Sequence, residues 1–168
     1  MTKLTIHTTE DDHRVAKLAA LAIGLHLVEA VVPSPLPGVK PGIANIVTLY
    51  VLYRFDFATA AWVSLLRVFA SSLLFGNFLS PTFALSFSGA ILSLVALYFA
   101  QYLPRRYFGP VSLSVFAAFA HMLGQLMLVR FWLIPHAGVV YLVPIFMTAA
   151  LLFGVINGLV ATVLLKKA

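Results

Sequence analysis

Long runs of apolar residues limit what this chain can fold into more strictly than any motif does. Six runs are present, near residues 14–32, 42–55, 57–76, 82–102, 110–134 and 139–165. Five are long enough to cross the hydrocarbon core of a bilayer as α-helices, which takes roughly 20 residues. The second is short, so its helix must use the flanking loop or lie in a thinned region. The runs are too long for barrel strands and do not alternate. The sequence therefore predicts an all-α membrane protein with a bundle of six transmembrane helices.

The composition fits this class. Of the 168 residues, 62% are hydrophobic and 10% are charged, whereas a soluble domain carries about 25% charged residues. No hydrophilic block is long enough for a second domain, so we expect a cytoplasmic tail over 1–13 and a transmembrane domain over 14–168. The absence of cysteine excludes disulfides, thiolate metal sites and thiol catalysis.

The basic residues indicate an orientation. With six spans, eight of them fall on one side of the membrane, and only Lys40 is certain to fall on the other. The eight are Lys3, Arg14, Lys17, Arg54, Arg105, Arg106, Lys166 and Lys167. The positive-inside rule then places both termini in the cytoplasm of a multi-pass protein of the bacterial inner (plasma) membrane. Because these residues stand in ones and twos at the ends of apolar runs, nucleic-acid binding is not expected.

Polar residues in the predicted spans concentrate in the outer half of the membrane. Arginine at the bilayer centre costs roughly 2.5–3.5 kcal/mol on insertion scales, so such groups normally face a cavity or a partner. The cluster predicts a pocket that opens outward, with Asn157 as an exception on the inner half. The predicted substrate-binding residues are Glu29, Lys40, Asn45, Arg67, His121 and Gln125. Lys40 and Arg67 would leave the pocket net positive, which favours a small anionic or amphiphilic ligand. No catalytic residue, cofactor or metal ligand is predicted.

Helical phase, at about 100° per residue, places these groups on common faces. On the third helix one face carries Ser64, Arg67 and Ser71. On the fifth helix one stripe carries Ser114, His121, Gln125 and Trp132. The alternative to a binding role is structural, because Arg67 could pair with Glu29 to hold the bundle, and His121 and Gln125 could form interhelical hydrogen bonds.

The first helix has two distinct faces. His26 and Glu29 point toward the predicted pocket, while Ala16, Ala20 and Gly24 form a small-residue stripe on nearly the opposite side. Small residues spaced in this way let helix backbones approach closely in lipid. The stripe therefore predicts docking of another helix, either within the bundle or from a partner protein.

The loop over residues 32–42 contains four prolines. Proline fixes its own φ and disfavours helix at the preceding residue, so this segment is expected to be stiff and extended. Its apolar residues suit a lid over an outer cavity, and a rigid connector is the alternative. Lys40 lies on this segment.

Four segments carry a resemblance to a known family. They are Pro33-Ser-Pro-Leu-Pro-Gly-Val-Lys-Pro-Gly-Ile-Ala-Asn-Ile-Val-Thr-Leu49, Leu66-Arg-Val-Phe-Ala-Ser-Ser-Leu-Leu-Phe-Gly76, Ser86-Phe-Ser-Gly-Ala-Ile-Leu-Ser93 and His121-Met-Leu-Gly-Gln-Leu126. Over residues 15–165 the chain resembles the Gx transporter family, also labelled heptaprenyl diphosphate synthase component I. That family looks like a relative of the S components of energy-coupling factor (ECF) transporters. Met122 is a departure, since Asn is expected after the histidine.

The resemblance implies a six-helix bundle that captures a vitamin or cofactor from the outer side. In S components the loop after the first helix caps the site, and an Ala-xxx-Ala stripe docks the coupling protein; the proline loop and Ala16-xxx-Ala20 are the counterparts here. The chain has no G-x-x-x-x-G-K-[ST] motif, so ATP-driven uptake would need separate ECF coupling and ATPase subunits.

Three functions follow from these features. The first is a substrate-binding transport subunit for a small cofactor or cofactor precursor. The second is a membrane protein of isoprenoid or quinone metabolism; an enzyme is not favoured, because prenyl-chain synthases use aspartate-rich metal motifs, whereas this chain has only Asp11, Asp12 and Asp56, all outside the predicted pocket. The third is an accessory subunit of a membrane redox complex, with the small-residue stripe as a permanent interface.

Overall fold

The computed structural model describes residues 9–31 and 42–167 of the chain. Within these ranges the regular structure is entirely helical. The α-helices are α1 (Glu10–Val31), α2 (Ala44–Arg54), α3 (Phe57–Leu74), α4 (Pro81–Ala100), α5 (Pro110–Leu128) and α6 (Val143–Lys167). A π-helical turn, Val129–Leu133, extends α5, and a 3₁₀ helix, Ala137–Leu142, precedes α6. The all-α prediction is confirmed.

The helices begin where side chains satisfy their free backbone N–H groups. Asp56 precedes α3 and accepts hydrogen bonds from the backbone N–H and the hydroxyl of Thr59, at 2.8 and 2.9 Å. Thr9 and Asp12 cap the start of α1 reciprocally. This cap explains why α1 begins at Glu10, so the acidic residues expected in a tail over 1–13 form its first turn. The division into a tail and a membrane domain remains a prediction.

Four helical segments are long and apolar enough to cross a membrane: Phe57–Leu74, Pro81–Ala100, Pro110–Leu133 and Ala137–Lys167. The chain is therefore a multi-pass membrane protein. α1 does not meet the same criteria, and its first turns carry several charged residues. α2 has 11 residues, about 16 Å of helix at 1.5 Å per residue. The predicted count of six spans is thus supported for four of them.

The short helix α2 lies at the centre of the bundle. It contacts α1, α3, α5 and α6, while α3 packs on α1 and α4, and α5 packs on α4 and α6. Two of its side chains, Leu49 and Val51, are among the most completely buried in the chain. α2 therefore carries Asn45, at its first turn, into the interior.

Large apolar side chains cover the outer faces of the long helices. Trp62, Leu73, Phe99 and Leu152 are all more than half exposed. A water-soluble protein rarely exposes so much contiguous apolar surface, whereas a bilayer solvates it. These residues mark the lipid-facing surface of the bundle.

Basic side chains gather at one end of the bundle. The guanidinium of Arg14 lies 5.0 Å from the ring centre of Phe55, and that of Arg105 lies 5.4 Å from the ring centre of Tyr53. The first turns of α1, the end of α2 and the loop between α4 and α5 thus meet here, as the orientation argument expects. We call this the basic end.

Candidate functional site

A cavity of about 100 Å³ lies between the helices, and each of the six α-helices contributes to its wall. We call it the main cavity. It is lined by His26, Glu29, Gly42, Asn45, Arg67, Val68, Ser71, Ser86, Ala118, His121, Met122, Gln125, Ala150, Phe153 and Asn157. α1 and α5 contribute residues near their C-terminal ends, and α2 and α4 contribute residues near their N-terminal ends. The main cavity is therefore in the half of the bundle away from the basic end.

Five of the six predicted substrate-binding residues line this one cavity: Glu29, Asn45, Arg67, His121 and Gln125. The sixth, Lys40, and the proline loop over 32–41 lie outside the described residues. The five come from four helices and are separated by up to 96 positions, from 29 to 125. The structure brings them together around a shared space, and their role in substrate binding remains a prediction.

Of the side chains in this wall, Arg67 has the highest free-energy cost of burial. It is 5% exposed, and its Nε has no hydrogen-bond partner in the described part of the chain. Ser64 and Ser71, on the same face of α3, are also buried. The Ser71 hydroxyl donates to the carbonyl oxygen of Arg67 at 2.7 Å, so it does not satisfy the guanidinium. A residue that lines the cavity thus carries a buried N–H donor without an acceptor in the described chain.

The Glu29 carboxylate is satisfied by groups other than Arg67. It is 2% exposed, and its Oε1 accepts a hydrogen bond from the backbone N–H of Gly42. Its Oε2 lies 3.9 Å from Nδ1 of His26, an ion pair only when the imidazole is protonated. Among the described residues no ion pair joins Glu29 to Arg67. The two charges therefore share the cavity without the direct contact that a purely structural pair would make.

Gly42 is held from a second side by α6. The Asn157 side-chain N–H donates to the carbonyl oxygen of Gly42 at 3.2 Å. Gly42 has φ +71°, which L side chains rarely adopt. α1 and α6 thus fix the residue that leads into α2, and with it the position of Asn45.

Asn157 also lines the main cavity, together with the residues expected in the outer half of the membrane. The sequence set Asn157 apart on the inner half, and it lies near the middle of α6 (Val143–Lys167). Its depth in the membrane remains a prediction. A single asparagine in an otherwise apolar stretch was the available signal.

His121 and Gln125 form one polar turn of α5. Gln125 Nε2 lies 3.1 Å from His121 Nε2, and the His121 Nδ1 atom is buried without a hydrogen-bond partner in the described part of the chain. The two side chains contact each other, and the His121 ring also packs against Gly89 of α4. This contact between helices agrees with the structural alternative, which leaves Nδ1 without a partner in the described chain.

The predicted stripe on α5 is broken after Gln125. Ser114 is buried, as expected, but Trp132 is 62% exposed and does not line the cavity. The π-helical turn is the cause, because the backbone N–H of Ile134 donates to Val129, five residues back, at 2.7 Å. A turn of this kind rotates the following residues off the α-helical stripe.

A small cavity of about 10 Å³ lies next to the main one and shares Asn45 and Asn157 with it. Its other polar lining groups are the hydroxyls of Thr48, Ser93 and Ser114, all on buried residues. The Thr48 hydroxyl has no hydrogen-bond partner in the described chain. The space matches about one water molecule. The polar interior thus extends from the main cavity toward the bundle centre.

The wall of the main cavity combines charged, polar and apolar side chains. Within the described residues no group of three His, Cys, Asp or Glu side chains could hold a metal ion. Glu29 and Arg67 supply one acidic and one basic side chain, and the other polar lining residues are two histidines, two asparagines, two serines and one glutamine. Met122, buried in this wall, adds an apolar surface where the family comparison from sequence expected Asn.

The small-residue stripe of α1 lies on the surface. Ala16, Ala20 and Gly24 are exposed, and a Cβ atom on Gly24 would meet no atom within 4 Å. The residues that α1 turns toward the bundle are instead Ala19 and Ala22. The stripe therefore does not pack against the described helices of the bundle, and docking of a partner there remains a prediction.

A family model described as Heptaprenyl diphosphate synthase component I matches residues 18–164. The match runs from α1 to near the end of α6, and it includes every described residue that lines the main cavity. No curated protein and no solved structure matches the chain.

Proposed function

The chain belongs to the heptaprenyl diphosphate synthase component I family, and from that premise we propose that it is a membrane-embedded substrate-binding subunit of transport. Its main cavity would capture a small anionic or amphiphilic cofactor, or a precursor of one, from the outer side. The proposal rests on Arg67, which lines the cavity, is 5% exposed, and has an Nε without a hydrogen-bond partner in the described chain. Burying such a group is costly unless an interaction made in the bound state compensates.

The surroundings of the two charged residues in the cavity wall, Glu29 and Arg67, favour an anionic ligand. The Glu29 carboxylate already accepts from Gly42 and lies beside His26, whereas the Arg67 Nε–H has no acceptor in the described chain. A carboxylate or phosphate oxygen would supply one, and guanidinium groups bind both bidentately. Phe153 and Met122 in the same wall give an apolar part of the ligand a surface to contact. Lys40 would add a second cation.

The topology and partners of this subunit are part of the same proposal. We place α1 and α2 in the membrane beside the four longer spans, with the basic end in the cytoplasm of a bacterial inner membrane. The exposed stripe Ala16, Ala20 and Gly24 would then dock an ECF-type transmembrane coupling subunit with its ATPases. Reorientation of the bundle on that subunit would release the ligand.

The family description supports a second candidate, because it names a component of a prenyl diphosphate synthase. In that case the chain would be a membrane partner in isoprenoid or quinone metabolism. A prenyl diphosphate combines a phosphate group with an apolar chain, which matches the ligand class proposed for the cavity. An accessory role in a membrane redox complex is the third candidate.

Bound small molecules in the purified protein test the first proposal. Mass spectrometry of an extract of detergent-purified protein should find one retained compound in stoichiometric amount. Arg67→Gln should lower its retention about tenfold, the effect of losing a hydrogen bond to a charged group. Arg130→Gln is the matched control, because Arg130 is half-buried but does not line the cavity. Equal retention in both variants contradicts a capture role for Arg67.

The same preparations separate the other candidates. Product formation by the protein alone, lost in Glu29→Gln, would favour an enzyme. Stable co-purification with a prenyl synthase or with redox subunits, in the absence of ATPases, would favour an accessory role. Co-purification with ATPases that is lost in Ala20→Leu, but not in Ala22→Val on the buried face, would favour the coupling-subunit interface.

A further inference from the structure

A second large cavity lies at the basic end and takes no part in the proposed capture of a ligand. Its volume is about 140 Å³, and it shares no lining residue with the main cavity. The end of α2, the end of α4 with the loop after it, and the start of α5 form its wall. We call it the basic-end cavity. A space of this size holds several water molecules or one tetrahedral anion.

Each polar side chain in its wall can donate a hydrogen bond. Tyr53 and Tyr102 supply hydroxyls, Gln101 an amide and Arg105 a guanidinium, and no acidic side chain is among the lining residues described. The Tyr53 hydroxyl oxygen is buried and has no hydrogen-bond partner in the described chain. A buried hydroxyl without a partner costs free energy, so a group that accepts from it is expected at this position.

The guanidinium of Arg105 is exposed and lies over a tyrosine ring without being neutralised. Its central carbon lies 5.4 Å from the ring centre of Tyr53. Among the ion pairs between described residues, none includes Arg105. Stacking on a ring face leaves the in-plane N–H groups of a guanidinium available, so the cation and the Tyr53 hydroxyl can act on one bound group.

The basic-end cavity lies close to the expected level of the lipid headgroups. Tyr102 and Tyr107 follow α4 and are 70% and 72% exposed. Exposed tyrosines at the ends of spans lie at the level of lipid headgroups. Arg14, Arg54 and Arg106 also lie at the basic end, which raises the local concentration of anions. The cavity is therefore within reach of both headgroups and dissolved anions.

We propose that the basic-end cavity is a binding site for a phosphate group, with Arg105 and Tyr53 as its principal contacts and Gln101 as a third donor. Two sources have this chemistry: the phosphodiester of an anionic lipid headgroup, and a free phosphate. Neither depends on the function assigned to the main cavity, so this site can be tested whether or not the chain captures a substrate.

Native mass spectrometry of the full chain, in a neutral detergent, provides the test. Phosphatidylglycerol, phosphatidylcholine and inorganic phosphate are titrated separately. The wild-type protein should retain phosphatidylglycerol or inorganic phosphate in preference to phosphatidylcholine. Arg105→Gln and Tyr53→Phe should each weaken that binding about tenfold, as expected for the loss of a hydrogen bond in which one partner is charged.

Arg106→Gln is the control, because Arg106 is the neighbouring arginine but lies over the Tyr107 ring, at 5.7 Å, and does not line the cavity. It should change binding less than twofold. Tyr53→Phe keeps the ring that stacks on Arg105, so its loss of binding should come without a change in unfolding temperature; this separates a contact from a folding defect.

The titrations also identify the source. Displacement of phosphatidylglycerol by millimolar inorganic phosphate, with the same dependence on Arg105, indicates a water-borne phosphate. Binding of phosphatidylglycerol alone indicates a lipid headgroup. The proposal is wrong if neither anion binds in preference to phosphatidylcholine, or if Arg106→Gln weakens binding as much as Arg105→Gln does, since general attraction to a basic surface would then be enough.

Discussion

The imidazole of His121 occupies the space that a side chain at position 89 would fill. A Cβ atom on Gly89 would lie 2.7 Å from Nε2 of His121, closer than real Cβ contacts come. Gly89 belongs to α4 and His121 to α5. Because Gly89 has no side chain, the His121 ring can pack directly against the backbone of α4. The ring lies in the wall of the main cavity, with Gln125 one turn further along α5 at 3.1 Å.

Gly89→Ala should therefore disturb the main cavity as well as the helix contact. The new methyl group must move the His121 ring, which breaks its contact with Gln125. We expect a loss of about 1–3 kcal/mol of stability, the usual effect of overpacking, together with weaker retention of the ligand. Thermal unfolding followed by circular dichroism measures the first, and mass spectrometry of bound compounds the second.

A double-variant cycle isolates the cause. In a His121→Ala background the atoms that clash with the new methyl group are absent, so Gly89→Ala should cost little there. The interaction energy of the cycle should be at least 0.5 kcal/mol, as for residues in contact. Additive effects of the two substitutions would show that Gly89 is needed for another reason.

The contact of α5 with α6 depends more strictly on glycine. A Cβ on Gly158 would lie 2.6 Å from the Cα of Val111, which is backbone and cannot rotate away. A Cβ on Gly154 would lie 3.1 Å from its nearest neighbours, the Ala118 Cβ and the Val115 Cα. Gly158→Ala should thus destabilise the protein by about 3 kcal/mol and Gly154→Ala by about 1 kcal/mol.

Gly24→Ala is the control for this pair. No atom lies within 4 Å of the position its Cβ would take, and alanine is the better helix former by up to about 1 kcal/mol. Its unfolding temperature should be unchanged or higher. Equal destabilisation by all three alanine substitutions would contradict the assignment of close helix packing to Gly158 and Gly154.

Two substitutions of Glu29 should separate its effect on ligand binding from its effect on stability. Glu29→Gln keeps an oxygen that accepts from the Gly42 N–H but removes the negative charge beside Arg67. Stability should change by less than about 1 kcal/mol, while an anionic ligand should bind more tightly. Glu29→Ala leaves the Gly42 N–H without its acceptor, which should cost about 1–3 kcal/mol. Isothermal titration calorimetry measures the affinity for the anion, and thermal unfolding measures the stability. Weaker anion binding by Glu29→Gln would contradict the proposed negative charge of the ligand.

Asp56 should make the stability of α3 depend on pH. The hydrogen bond from the Thr59 backbone N–H, followed by that from its hydroxyl, lowers the pKa of the Asp56 carboxyl below its ordinary value. A depressed folded-state pKa gives stabilisation that is complete above the unfolded-state pKa and is lost as pH falls through the folded-state one. The unfolding temperature should therefore fall at acidic pH, below about pH 4.

Two variants of Asp56 check this assignment. Asp56→Ala should cost about 1 kcal/mol at neutral pH, as for other N-caps, and should reduce the acid-dependent loss. Asp56→Asn retains a capping oxygen that does not titrate, so its stability should be close to that of the wild type at neutral pH and should vary less with acid. If the unfolding temperature of Asp56→Ala falls with acid as much as that of the wild type, the pH dependence comes from other carboxylates.

Helical phase predicted the polar residues that α1, α3 and α5 contribute to the cavity wall, because it is a local property. Arg67 and Ser71 lie four residues apart, as do His121 and Gln125, and each pair faces one side of its helix whatever the neighbours do. The insertion cost of arginine then required that side to face the interior. The family resemblance rested on the same segments, and the family model matches the chain over residues 18–164.

Phase failed where the backbone departs from the α-helix. The hydrogen bond from the Ile134 N–H to the Val129 carbonyl oxygen closes a π-helical turn. Trp132 therefore does not lie on the polar stripe of α5, whose last residue is Gln125. A few residues of 3₁₀ or π geometry change the rotation of everything after them, and the apolar pattern of these segments contains no signal for it.

The sequence by itself determined the class of fold, because apolar runs of this length are stable only as helices in a bilayer, and it determined which faces of α3 and α5 are polar. Tertiary structure alone decided which faces meet and how closely. Arg67 and Glu29 share a cavity without touching, since Gly42 and His26 occupy the carboxylate, and His121 enters the wall because Gly89 has no side chain. Such outcomes depend on the distances between helices, which are set by packing among residues far apart in the chain.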